Sequence, residues 1–222
     1  MEAAVAVARP RNVARWAFLG GVVYVVLFVI GTIVLFDGPP DTSSAPAKII
    51  AYYSDSGHRD KVNLGWILIG LAVFFLLWFI GALRRAVSGV DGEGVLTGVV
   101  GIGGGVYVAL AFASVALNQG LRTMSDDTYQ HRVFPELIHA ADDVGWVMHA
   151  SGAVGLGAMI IAASLAFKWA GVWPSWAGWL GVVVGILTLA SIAFFPQFLF
   201  LLWILVVSLV MFRRESPRAT QT

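Results

Sequence analysis

One ionisable side chain falls well inside an uninterrupted apolar stretch. It is His149, about five residues past Val144 and so about 8 Å below the polar end of that run. An ionisable group at membrane depth is a functional candidate by default, because its cost demands a partner or a role. Upstream stand His139, Asp142, Asp143 and Trp146. If a helix starts near Pro135, positions 139, 142, 146 and 149 recur at intervals of three, four and three and share one face. Asp143 lies four residues after His139, within reach of a common ligand. Asn63, Asn118 and Gln197 end other apolar runs at the same level. Such a set can bind a polar ligand, move a proton or ligate a metal from an outward-facing pocket.

The spacing also sets limits. His139 and His149 are ten residues apart, about 15 Å along one helix, too far to hold one ion together. A metal would need His139 with Asp143, completed by His58 or another loop residue. A structural role accounts for the same residues: Asp142 and Asp143 mark where the helix leaves the membrane, and His149 hydrogen-bonds Asn118, Asn63 or a backbone carbonyl. No nucleophile elbow is present, and no complete dinucleotide fingerprint occurs around Gly101–Gly105. A second intramembrane histidine for haem is missing, so no cofactor is expected.

The elements that must position these groups follow from length and hydropathy. A spanning helix needs about 20 mainly apolar residues. Six runs approach that test: 16–36, 63–83, 95–117, 144–167, 175–195 and 197–212. The last two, read as one helix, would rise about 57 Å, so a hairpin at Pro196-Gln197 is expected instead. Two long outer loops, 37–62 and 118–143, separate runs one from two and three from four. In the first, Ser43 or Ser44 is expected to cap an amphipathic helix that starts at Pro46 and carries Ile49, Ile50, Tyr52 and Tyr53. In the second, Phe134-Pro135-Glu136-Leu137 reads as a helix start running into the fourth span. The predicted fold is an all-α transmembrane bundle of about six spans over 16–212, with tails 1–15 and 213–222.

Composition agrees. Hydrophobic residues make up 59% and charged residues 12% of the 222, and mean hydropathy is +0.83. A soluble domain of this size hides only about 70% of its surface, so the bilayer must be part of the solvent. The absence of cysteine excludes disulfides, thiolate metal sites and cysteine nucleophiles. A net charge of +1 gives no footprint for nucleic acid. With the N-terminus in the cytoplasm, nine of the 14 Lys and Arg lie inside and nine of the 13 acids outside, +5 against −4. The positive-inside rule then places both termini in the cytoplasm.

Helices in lipid associate through small residues that allow close approach. Gly101, Gly105, Ala109 and Ala113 recur four apart on the third span, and Ala177, Gly181 and Gly185 on the fifth. These stripes predict packing inside the bundle, with homo-oligomerisation as the alternative. Most tryptophans cluster near predicted span ends as interfacial anchors, whereas Trp78 and Trp203 are expected to pack between helices. Arg84-Arg85 and Arg213-Arg214 read as topology anchors that can also attract anionic headgroups.

Ile49-Ile50-Ala51-Tyr52-Tyr53, Asn63-Leu64-Gly65-Trp66 and Gly81-Ala82-Leu83-Arg84-Arg85-Ala86, with the ending Leu201-Leu202-Trp203-Ile204 through Phe212-Arg213-Arg214, resemble a family of small bacterial integral membrane proteins described as a domain of unknown function. The resemblance implies a bacterial cytoplasmic-membrane protein of about six helices and carries no catalytic residues. Three functions are expected in order. The first is a non-enzymatic binding, accessory or scaffold component in the lipid bilayer, with a homo-oligomer or membrane-protein partner. The second is a small-solute or proton-coupled transporter using His149, and it requires a cavity continuing past that residue. The third is a metal-dependent intramembrane lipid hydrolase.

Overall fold

The computed structural model describes residues 11–41, 43–92, 94–123, 132–193 and 196–214. Residues 1–10 and 215–222 of the predicted tails, loop residues 124–131 and the end of the fifth span at 194–195 lie outside them. All regular structure among the described residues is helical: α1 Arg11–Phe36, α2 Pro46–Ser54, α3 Ser56–Asp91, α4 Val95–Thr123, α5 Pro135–Trp169, α6 Ser175–Thr188 and α7 Gln197–Arg214. A 3-10 turn over Ser191–Ala193 extends α6. Five of these helices, α1, α3, α4, α5 and α7, are long and apolar enough to cross a membrane; α6 is apolar but has only 14 residues.

Several helices outrun their apolar cores because local chemistry at the ends favours it. Asp55 caps α3, its carboxylate accepting the His58 N–H at 2.9 Å, so α3 begins seven residues before Asn63. Gly92 (φ 64°) ends it in a conformation that side chains rarely adopt. Pro135 occupies the first turn of α5, followed by Glu136, and Lys168 lies in its last turn, both charges complementing the helix dipole. The helix expected at Pro46 is present, but the expected Ser43 or Ser44 cap is not: Ala45 takes the capping position and its side chain makes no bond. Proline in the first turn, which needs no N–H donor there, suffices to start it.

Packing closes the six longer helices into a ring in the order α1, α3, α4, α5, α6, α7 and back to α1. The chain reverses between α6 and α7: Gly178 packs on Lys168, Ile192 accepts a bond from Trp146, and Trp203 of α7 lies against Gly181. Close approach is made by glycine at three crossings. A Cβ on Gly31 would stand 3.1 Å from the Gly65 carbonyl oxygen, one on Gly103 would stand 2.4 Å from that of Gly155, and one on Gly157 would stand 2.7 Å from that of Gly185. Gly181 is equally tight, 2.1 Å from Ser164 Oγ, so Gly181 and Gly185 pack as their spacing predicts.

The stripe on α4 behaves differently. Gly105 has nothing within 4 Å, Ala109 is exposed, Ala113 is half-buried, and Gly101 meets only the Arg84 side chain. The helix is wedged between α3 and α5, so it buries two faces: Gly104 against Ile80 and Gly103 against Gly155. A single four-residue repeat describes one line and here falls on the outward side. Trp78 is likewise 52% exposed rather than packed between helices, while Trp203 is buried as expected.

Candidate functional site

Starting α5 at Pro135 puts His139, Asp142, Trp146 and His149 on one face, and all four line a cavity of about 580 Å³ at the α2 end of the ring. Asp143, Asn118 and Gln197 line it too. Asn63 does not: its side-chain oxygen accepts a 2.7 Å bond from Gln119 Nε2, tying α3 to α4 beside the cavity. The stripe read from spacing is therefore a cavity wall, with one member replaced.

The side chain that organises this wall is Arg122, assigned by sequence to an outer loop. It is 8% exposed, on the last turn of α4. Its guanidinium donates to the Asp142 carboxylate and the Tyr53 hydroxyl, and makes longer 3.4 Å contacts to Asn118 Oδ1. The Tyr53 ring also lies 5.6 Å from the guanidinium carbon, within cation–π range. Burial pushes the Tyr53 phenol up, although Arg122 pulls the other way, so it stays a neutral hydroxyl. Arg59 fixes α2 from the other side, donating to the Tyr53 carbonyl at 2.9 Å. The signal in the sequence was Ser114, Asn118 and Arg122 at four-residue intervals, one polar line continuing the helix past residue 117. Ser114 Oγ donates to the Gly145 carbonyl at 3.0 Å, and Asn118 Nδ2 to the Ser114 carbonyl at 3.0 Å. Gly145 makes that contact possible, since a Cβ there would meet Asn118 Nδ2 at 2.2 Å.

His149 makes none of the hydrogen bonds expected of it with Asn118, Asn63 or a backbone carbonyl. Its Nε2 is buried without a hydrogen-bond partner, and its ring sits in an aromatic nest. Phe28 and Trp146 stack on it at 6.2 and 5.7 Å, and Tyr107 meets it edge-on at 5.6 Å. Below that layer lies a cluster of buried, mainly apolar side chains. Tyr24 and Tyr107 share a 3.0 Å hydrogen bond, and Leu76, Leu156, Met159, Phe200 and Ile204 are fully buried around them. None of these deeper side chains lines the cavity, whose lining reaches Phe28 and His149, so it gives no support to the continuous path that a transporter reading requires.

Metal chemistry finds little support in the same geometry. Among the described residues no three His, Asp or Glu side chains are grouped to hold an ion. His58, the proposed third ligand, instead stacks on Tyr52 at 4.2 Å with its Nδ1 3.6 Å from Asp55. His139 and Asp143 remain on the cavity wall without it.

At the mouth, Lys61 clasps the loop after α1, donating to the Asp37 carboxylate and, at 2.7 Å, to the Asp37 carbonyl. This contact holds the Asp37 carboxyl below its usual range. No family model, curated protein or solved structure matches the chain. The helical, apolar bundle is the architecture of an integral membrane protein in contact with lipid.

Proposed function

We propose that the chain is a six-crossing protein of a bacterial cytoplasmic membrane, with both termini inside, that holds a small ligand in its outer half without turnover or passage. The observation that carries this reading is a cavity of about 580 Å³ that opens at the α2 end and stops on the His149 aromatic nest. Volumes of about 300–1,000 Å³ suit small-molecule ligands. The bacterial location rests on the sequence resemblance, and the orientation on the positive-inside rule. Arg84, Arg85, Lys168, Arg213 and Arg214 gather at the end of the ring opposite the cavity. The sixth crossing is α6 with its 3-10 extension, which follows α5 from Lys168 towards Trp146.

The natural chain has no cysteine, so single thiols report topology without background. In intact cells, Ser54→Cys and Ile192→Cys are expected to react with a membrane-impermeant maleimide, and Ser88→Cys and Ser175→Cys only after permeabilisation. Labelling of Ser88→Cys in intact cells would overturn the orientation, and labelling of Ser175→Cys and Ile192→Cys from the same side would remove the sixth crossing. A stoichiometric transition metal in the purified protein would overturn the non-enzymatic reading.

A further inference from the structure

The charges and rings of the cavity narrow the class of ligand. Its wall holds a single guanidinium, Arg122, which is paired with Asp142, and a further carboxylate, Asp143. That guanidinium is already engaged by Asp142, Tyr53 and Asn118, so it is not offered to an incoming anion. The remaining wall is aromatic and aliphatic, with Phe28, Trp66 and Trp146 presenting rings to the space. Negative potential beside ring faces suits a weakly hydrated organic cation, whose desolvation is cheap and whose charge the rings attract. A metal ion fits poorly, because it needs several converging ligands and no such group occurs among the described residues.

We propose that the pocket binds a monovalent organic cation with an apolar body, of the ammonium or phosphonium class, with its charge held between Asp143 and the Trp66 and Trp146 rings. The inference rests on the pocket reading above and deepens it. Asp142 is committed to Arg122, which leaves Asp143, the next residue of α5 and on the same wall, as the carboxylate facing the ligand's charge.

Two probes of one shape and opposite charge test this: tetraphenylphosphonium and tetraphenylborate, with triphenylphosphine oxide as the neutral comparison. Binding is measured by equilibrium dialysis on the full chain in phosphatidylcholine nanodiscs, with empty nanodiscs subtracted. The cation is expected to bind saturably, one per chain, at least about tenfold more tightly than the anion. Asp143→Asn is expected to weaken the cation several-fold and leave the neutral probe unchanged. Trp66→Leu is expected to weaken the cation more than the neutral probe. Thermal unfolding of each variant checks that it is folded. Equal or tighter binding of the anion overturns the inference, as does Asp143→Asn binding the cation like the natural chain. Failure of all three probes also overturns it. A parallel measurement separates that failure from failure of the pocket: Ile69→Cys, on the cavity wall, reacts from outside with an impermeant thiol reagent if the pocket exists and stays inert if it does not.

Discussion

The two ends of this bundle solve the same packing problem in opposite ways. Towards the arginine end, α4 and α5 meet glycine to glycine at Gly103 and Gly155, and the side chains around Tyr24 and Tyr107 are fully buried. Towards the α2 end the helices surround a cavity, and what joins α4 to its neighbours there is polar: Ser114 to Gly145 and Arg122 to Asp142 on α5, Gln119 to Asn63 on α3. Dry packing tolerates no added volume, whereas a polar network tolerates volume but not the loss of one partner. Each half should therefore fail to a different kind of substitution.

The largest expected effect is in the polar half. Arg122→Ala leaves Asp142, a third exposed, without its partner and frees Tyr53, and should cost about 2–3 kcal/mol in unfolding of the detergent-solubilised protein. The paired change Arg122→Met with Asp142→Leu removes both charges and is expected to recover most of that loss. A single variant as stable as the natural chain would mean that the pair is not buried as described.

Next comes the glycine crossing. Gly103→Val drives its side chain into the Gly155 carbonyl and should cost about 1–3 kcal/mol, while Gly105→Val, two residues on and facing open space, should stay within about 0.5 kcal/mol. Equal effects at the two positions would erase the distinction between the faces of α4.

This pair also marks what sequence can and cannot reveal. His139, Asp142, Trp146 and His149 were legible as one wall because helical spacing is local and Pro135 announces where the helix starts. Gly105 was misread because which line of a helix faces a neighbour depends on where α3 and α5 lie, and nothing local encodes that. Arg122 was missed for the same reason: its partners Tyr53 and Asp142 are 69 and 20 residues away, and counted by itself it looks like any loop charge. Gln197 was visible as a polar residue after Pro196, but its place on the cavity wall depends on the reversal between α6 and α7.

A smaller effect is expected at His149. Its Nε2 has no partner to lose and the ring has Gln197 as a polar neighbour, so His149→Phe, an aromatic replacement in an aromatic nest, should cost no more than about 1 kcal/mol. A large loss would show that the imidazole carries a bond after all.

The smallest effect is electrostatic and confined to the mouth. The Asp37 carboxyl is held below its usual range by Lys61, so its folded pKa is depressed relative to the unfolded chain. The clasp therefore contributes above the ordinary carboxylate range and is lost as pH falls through the lowered folded value. Hydrogen exchange at the Asp37 and Gly38 amides should accelerate in acid, beyond the intrinsic pH dependence, relative to α4. Lys61→Ala should remove that extra dependence, and its persistence in the variant would assign the effect elsewhere.

Two thiols seven residues apart on one face of α3 measure directly where the cavity stops. In otherwise cysteine-free chains in intact cells, Ile69→Cys should react with an impermeant methanethiosulfonate, and Leu76→Cys, fully buried beneath the His149 nest, should not. Comparable reaction at both positions would mean that a path runs on through the bundle, and would contradict a pocket that binds without passage.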